Sequence, residues 1–191
     1  MKLDSSAISL GTAAVDFTLP GVDGRNYSLR DVAGAHATLV AFICNHCPFV
    51  VHIVAGLVEY ARDYQPKGVG VAAISANDVT THPADSPERM AEFAAVHGFT
   101  FPYLFDESQA VAKSYKAVCT PDLFLYDRDL KLAYCGQFDA SRPGRSDIPV
   151  SGDSLRAATD AVLAGRAVPS PQIPSSGCNI KWKPGNAPTA T

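Results

Sequence analysis

The sequence predicts an α/β fold in which a mixed β-sheet carries helices on both faces. Two observations lead to this prediction. Two continuous apolar runs, at residues 37–43 and 69–75, flank a helical segment, which is the βαβ pattern of parallel strands. Two later apolar segments, at residues 123–126 and 131–135, are joined by a polar turn and predict an antiparallel hairpin at the edge of the same sheet.

The remaining elements follow from local signals. The Asp23-Gly24 pair between two partly apolar runs predicts an N-terminal β-hairpin. Pro48 is tolerated in the first turn of a helix, because a residue there needs no intrahelical N–H bond. The further expected elements are helices at residues 47–64, 86–98, 108–115 and 153–163 and a short strand at residues 101–106.

The bulk composition is typical of a globular protein and argues against two classes of function. Of 191 residues, 47% are hydrophobic and 18% are charged, which is ordinary for one packed domain. The net charge of −3 argues against a nucleic-acid partner, because no basic excess is present to neutralise phosphates. No apolar stretch approaches the roughly 20 residues that a membrane-spanning helix needs. The first residues lack a basic segment followed by a long apolar core, so a cytoplasmic location is expected.

The chain is expected to form a single domain over residues 1–168, followed by a tail. Residues 169–191 are rich in Pro, Ser and Gly, but they include the apolar residues Ile180 and Trp182, which need a place to dock. We therefore expect the tail to pack back on the domain in part. Cys178 lies in this tail. The sequence is compatible with two roles for it, a structural thiol and a remote resolving thiol.

A C-x-x-C motif, Cys44-Asn45-His46-Cys47, joins the first core strand to the first long helix. Unpaired N–H groups and the positive end of the helix dipole favour a thiolate at this position. The second cysteine is close enough to attack a mixed disulfide formed by the first. We therefore expect Cys44 to be an exposed nucleophile and Cys47 the more buried resolving thiol. A protonated His46 between them would stabilise the thiolate, and no cofactor is expected.

The element order, with C-x-x-C at the end of the first core strand, resembles the thioredoxin fold. The N-terminal hairpin and the insertion before the late hairpin resemble its peroxiredoxin and TlpA/ResA branch. Cys-Asn-His-Cys-Pro-Phe-Val at 44–50 and Gly-Cys-Asn-Ile-Lys-Trp-Lys at 177–183 are similar to a group of peroxiredoxin-like, AhpC/TSA-related redoxins. The resemblance implies a three-layer α/β/α fold and thiol redox activity. It also implies a cis-proline at Thr120-Pro121, which would face the redox pair and shape a groove for an extended peptide.

Departures from the family pattern direct the functional prediction. Peroxiredoxins carry P-x-x-x-T-x-x-C around the peroxidatic cysteine, and the threonine orients the peroxide. Counting back from Cys47 places Cys44 at the threonine position, and counting back from Cys44 places Ala41 there. This weighs against peroxidase activity. The sequence also shows no obvious buried carboxylate that could move protons for the second cysteine.

Cys119 is the unexpected residue of the predicted site. It lies two positions before Pro121 and is therefore expected near the C-x-x-C pair. The sequence is compatible with three roles for Cys119: a third redox thiol, a metal ligand, or a small apolar residue in the wall of the site.

Three functions remain open at the level of sequence. The first is a thiol-disulfide oxidoreductase that cycles Cys44 and Cys47 between dithiol and disulfide, with protein or small-molecule thiol and disulfide substrates and a thiol reductant as partners. The second is a thiol peroxidase. The third is a soft-metal module in which Cys44, Cys47, Cys119 and His46 hold Cu(I) or Zn. The missing peroxidatic threonine favours the first.

Overall fold

The computed structural model describes residues 2–4, 8–145 and 147–188 of the chain. Its strands are β1 (Lys2–Asp4), β2 (Thr18–Pro20), β3 (Asn26–Ser28), β4 (Ala37–Phe42), β5 (Val69–Ser75), β6 (Tyr103–Phe105), β7 (Cys119–Thr120), β8 (Asp122–Asp127), β9 (Leu132–Cys135) and β10 (Ser176–Asn179). Five of them form the central sheet, in the order β6-β5-β4-β8-β9. β4, β5 and β6 run parallel, whereas β8 is antiparallel to both β4 and β9.

Helices cover both faces of this sheet, as the sequence predicts. They are α1 (Leu29–Val32), α2 (Pro48–Tyr64), α3 (Pro87–His97), α4 (Ala110–Ser114) and α5 (Asp153–Leu163), with short 3₁₀ turns at Gln65–Lys67 and Pro83–Asp85. Side chains alternate along a strand, so Leu39 of β4 packs under α2, α3 and α5, while its neighbour Val40 packs with α1 and α4. The continuous apolar run of β4 is explained by these two cores, because both of its faces are buried.

Two small antiparallel sheets complete the fold. β2 and β3 form the predicted N-terminal hairpin. β1, β10 and β7 form a three-stranded sheet that brings the two ends of the chain together. The sequence predicts none of these three strands, because they are short, lack an apolar run and pair with segments far away in the chain.

The C-terminal segment lies against the rest of the molecule. Ile180 is 1% exposed and packs into the core formed by α1 and α4. The backbone of Lys181 accepts a hydrogen bond from Asp78 N and donates one to Asn77 Oδ1, both at 2.8 Å. These contacts join the tail to the loop after β5; the domain bounds at residue 168 stay a prediction. Within the described residues, no helix combines the length and apolar character that crossing a membrane requires.

Candidate redox site

The C-x-x-C motif lies at the junction of β4 and α2. Ile43 N donates to Ile74 O, which continues the β4 pairing up to the motif. Cys47 then adopts an extended backbone as the N-cap of α2, and Pro48 is the first helical residue. Both cysteines are present as thiols, and their exposed fractions are 1% for Cys44 and 0% for Cys47. The site is therefore a pair of buried thiols at the N-terminus of a helix.

Thr120 contacts both sulfurs from the opposite side. Its hydroxyl lies 3.4 Å from Cys44 Sγ, and its carbonyl oxygen accepts a hydrogen bond of 3.1 Å from the Cys47 thiol. The Thr120–Pro121 peptide bond is cis, as the family resemblance implies. The predicted pair and the predicted Thr120-Pro121 segment are thus in direct contact, although Cys47 and Thr120 are 73 positions apart in the chain.

The two thiols have opposite pKa shifts, because they share a hydrogen bond. This bond, together with burial and the negative charge of Asp85, raises the pKa of Cys44. The same bond lowers the pKa of Cys47 despite burial, and a hydrogen bond with Cys178 adds to the lowering. The expectation that Cys44 is exposed is therefore wrong, because its side chain is buried. Its role as the nucleophile stays a prediction, and the pKa shifts favour a thiolate on Cys47.

A buried carboxylate, Asp85, holds the C-x-x-C turn. Its side chain is 0% exposed, and its Oδ1 accepts a 2.8 Å hydrogen bond from Asn45 N. Its Oδ2 accepts one from Asn77 Nδ2 at 2.8 Å and lies 2.7 Å from His46 Nδ1. The carboxylate that the sequence did not reveal is thus present beside the redox pair, and it orients His46.

His46 also stacks on His82, with ring centroids 5.4 Å apart. Burial and the neighbouring His46 and Lys181 lower the pKa of His82. One ligand atom each from Cys44, His46 and Asp85 lie within 4.8 Å of one another, which is a spacing that one metal ion could bridge. The expected metal ligands were Cys44, Cys47, Cys119 and His46. In the observed set an oxygen of Asp85 takes the place of the sulfurs of Cys47 and Cys119.

The comparisons with known proteins agree on the family. The model of the AhpC/TSA family matches residues 10–135, about two thirds of the chain. The chain belongs to the AhpC/TSA family. A crystal structure of an uncharacterised protein from Geobacillus kaustophilus is 53% identical and superimposes on this AhpC/TSA protein with a TM-score of 0.94, covering 97% of this chain and 98% of that one.

More distant relatives of this AhpC/TSA protein include both redox classes. ResA, a thiol-disulfide oxidoreductase of Geobacillus thermodenitrificans, is 26% identical over 68% of this chain and 70% of its own length. The peroxiredoxin-type protein Rv2521 of Mycobacterium tuberculosis is 28% identical over 59% of this chain and 67% of its own length. The thioredoxin domain of a Bacteroides vulgatus protein gives a TM-score of 0.59 at 17% identity over 78% of this chain and 97% of that one, which confirms the thioredoxin fold.

Two further cysteines lie close to the centre of this AhpC/TSA protein. Cys119 is 0% exposed, and its thiol donates to Pro121 O at 3.5 Å; a redox role for it stays a prediction. Cys178, on β10, hydrogen-bonds Cys47. Cys178 is therefore close to the redox pair in space, although its place in the tail is remote from the pair in the sequence.

Topology could have located Asp85, although its local sequence could not. β4 and β5 are parallel, so the loops that follow them leave from the same edge of the sheet. The C-x-x-C turn follows β4, and Asp85 lies in the loop after β5. A polar residue in that second loop is thus a candidate neighbour of the cysteines, but nothing in the sequence distinguishes Asp85 from Asp78.

Proposed function

We propose that this AhpC/TSA protein is a thiol-disulfide oxidoreductase that cycles Cys44 and Cys47 between dithiol and disulfide. The observation that carries the proposal is that both sulfurs lie against Thr120 at the N-terminus of α2. The hydrogen bond that couples the two thiols is consistent with sulfurs in contact. Sulfurs in such contact form a disulfide with little movement of the backbone. The relationship to ResA supports the same chemistry.

The electrostatics favour Cys47 as the sulfur that reacts first. Its thiolate attacks one sulfur of a substrate disulfide, which forms a mixed disulfide and releases the other substrate sulfur as a thiolate. Cys44 then loses its proton and attacks Cys47 Sγ. The Cys44–Cys47 disulfide forms, and the second substrate thiolate leaves and takes up a proton. A thiol reductant returns the pair to the dithiol.

A cleft beside Pro121 is the substrate side in this proposal. Phe49, Ile53 and Phe138 give it apolar walls, and Pro121 and Ser176 also line it. Pro121 follows Thr120, the residue that contacts both sulfurs. An extended peptide or a small disulfide that entered this cleft would meet the redox pair from the Pro121 side. Substrates are therefore proteins or small molecules with an accessible disulfide or thiol.

Reduction of insulin disulfides by the wild-type protein and by Cys44→Ser and Cys47→Ser variants tests the proposal. Both variants lack one sulfur of the cycle, so we expect turnover to be lost in each. The control is Cys135→Ser, which changes a partly buried cysteine on β9. Wild-type rates in either Cys44→Ser or Cys47→Ser would disprove the cycle.

A thiol peroxidase is the second candidate, because the chain belongs to the AhpC/TSA family and the pKa of Cys47 is lowered. In this case peroxide oxidises the Cys47 thiolate to a sulfenic acid, with release of water, and Cys44 then displaces a second water to form the disulfide. Peroxide consumption with a thiol reductant, lost in Cys47→Ser, would favour this candidate. Disulfide reduction without peroxide consumption favours the first.

A further inference from the structure

β10 carries a third thiol, Cys178, to the Cys44–Cys47 pair. Cys178 lies opposite Thr120 in the pairing of β10 with β7, and Thr120 contacts both sulfurs of the pair. Cys178 packs on the core cluster that contains both cysteines. Its hydrogen bonding with Cys47 contributes to the lowered pKa of Cys47. Cys47 is therefore the common neighbour of two thiols, Cys44 and Cys178.

The close approach of β10 depends on its glycine. A Cβ on Gly177 would lie 2.0 Å from Thr120 O and 3.1 Å from Pro121 N, so no other residue fits there without a shift of the strand. The next residues are held as well, because Ile180 N donates to Val118 O at 3.1 Å. Cys178 is thus placed between two fixed points of the backbone.

The three thiols differ in their access to solvent. Cys44 and Cys47 are 1% and 0% exposed, whereas Cys178 is partly exposed. The cleft beside Pro121 is also bordered by Ser176, on the same short strand as Cys178. A thiol or disulfide that approaches from solvent therefore reaches Cys178 before it reaches the buried pair.

We propose that Cys178 is a third redox thiol, which passes the disulfide between the buried Cys44–Cys47 pair and the surface. This inference rests on the proposed function, because it starts from a Cys44–Cys47 disulfide. The Cys178 thiolate attacks Cys47 Sγ, the Cys44–Cys47 bond breaks and a Cys47–Cys178 bond forms. Cys44 leaves with the electron pair and takes up the proton that Cys178 lost, so the exchange needs no other oxidant or reductant.

The charges around Cys178 favour this step once the pair is oxidised. Burial raises the pKa of Cys178 to about 11, and the hydrogen bond and charge of Cys47 add to the rise, while Lys181 opposes it. A Cys47 sulfur in a disulfide carries no charge, so its part of the rise disappears. Cys178 then ionises more readily, at the moment when a disulfide is available for it to attack.

Disulfide mapping in the full-length Cys44→Ser variant tests the proposal. The protein is oxidised with diamide, remaining thiols are alkylated, and its peptides are identified by mass spectrometry. We expect a Cys47–Cys178 disulfide, and its loss when Cys178→Ser is added. The matched control adds Cys135→Ser instead and is expected to retain the Cys47–Cys178 disulfide.

The outcomes separate this proposal from the proposed function. Cys178→Ser alone is expected to form the Cys44–Cys47 disulfide. If it does, and Cys44→Ser leaves Cys47 unpaired or pairs it with Cys119, the relay is wrong and the proposed function stands. If no variant and no wild-type sample forms a disulfide at Cys47, both fail. Circular dichroism establishes that each variant is folded. Oxidised wild-type protein, mapped in the same way, is expected to contain a Cys44–Cys47 and a Cys47–Cys178 disulfide. Absence of the Cys47–Cys178 disulfide from wild-type protein would contradict the relay.

Discussion

At the scale of single residues, Asp85 shows how one side chain organises the redox turn. Its two oxygens accept hydrogen bonds from Asn45 N and Asn77 Nδ2 and pair with His46. The same negative charge disfavours a thiolate on Cys44. Asp85 therefore orients the turn and at the same time keeps the proton on Cys44.

Replacing this charge is predicted to make Cys44 more acidic. In a Cys47→Ala background, which removes the shared hydrogen bond, we expect Asp85→Asn to lower the pKa of Cys44 by about 1, since one nearby charge is worth roughly that much. The measurement is the pH dependence of alkylation of Cys44. Asp129→Asn, at an exposed turn, is the control. An unchanged or higher pKa in Asp85→Asn would contradict the charge effect.

Asp139 is a second buried carboxylate whose role can be tested through pH. Burial raises its pKa, but hydrogen bonds from Ser141, Gly152 and Ser151 outweigh this and lower the pKa below its usual value. A carboxyl group with a lowered pKa in the folded state stabilises the protein at pH values above its pKa in the unfolded state, which is near 3.9. This stabilisation is lost as the pH falls through the pKa of the folded state.

Asp139→Asn is thus expected to reduce the free energy of unfolding by about 1–3 kcal/mol at pH 7, because buried N–H groups lose their charged acceptor. Urea denaturation at a series of pH values measures the difference between wild type and variant. This difference is expected to shrink below about pH 4 as the native carboxylate becomes protonated. A difference that stays constant into the acid range would show that Asp139 acts without its charge.

At the scale of elements, β10 is the strand whose position decides the shape of the site. Gly177→Ala places a methyl group against Thr120 O, so we expect a loss of about 1–3 kcal/mol in the free energy of unfolding. The displaced strand also carries Cys178 away from Cys47, so the variant is expected to form less Cys47–Cys178 disulfide. Ile173→Ala is the control in the same segment, since the Ile173 side chain is exposed. Equal disulfide yields in the two variants would contradict the role of Gly177.

The elements also show which parts of the site the sequence could predict. The C-x-x-C turn follows from local signals, because an apolar strand, two cysteines and a helix-starting Pro48 are contiguous. The contact with Thr120 was predictable through the family resemblance. The approach of Cys178 was not, because β10 has no apolar run and is defined only by pairing with β1 and β7.

At the scale of the whole molecule, the C-terminal segment contributes to the core. Ile180→Ala is expected to lower the free energy of unfolding by about 2–5 kcal/mol, because its side chain is 1% exposed. Ile173→Ala, at a position 56% exposed, is the matched control and is expected to change it by less than about 0.5 kcal/mol. Denaturant unfolding measures both. A small effect of Ile180→Ala would mean that the tail does not fold together with the domain.

The fold class was predictable because each of its signals is local and strong. The apolar runs of β4 and β5 and the helix between them specify parallel strands, and the late hairpin specifies the antiparallel edge. The expected exposure of Cys44 was wrong for a non-local reason, because Cys44 packs in a core built from residues far away in the chain. The opposite pKa shifts of the two thiols come first from the hydrogen bond that they share, and burial adds to the rise at Cys44.

The most direct test of the account is an equilibrium redox titration of the wild-type protein against a dithiol and disulfide buffer, with every thiol alkylated and mapped at each point. We predict one two-electron transition in which Cys47 loses its free thiol and pairs with Cys44 or, in part, with Cys178, while Cys135 remains a thiol throughout. If Cys44 and Cys47 both stay reduced across the full range of potentials, while the protein stays folded, the pair is not a redox centre and the central claim is wrong.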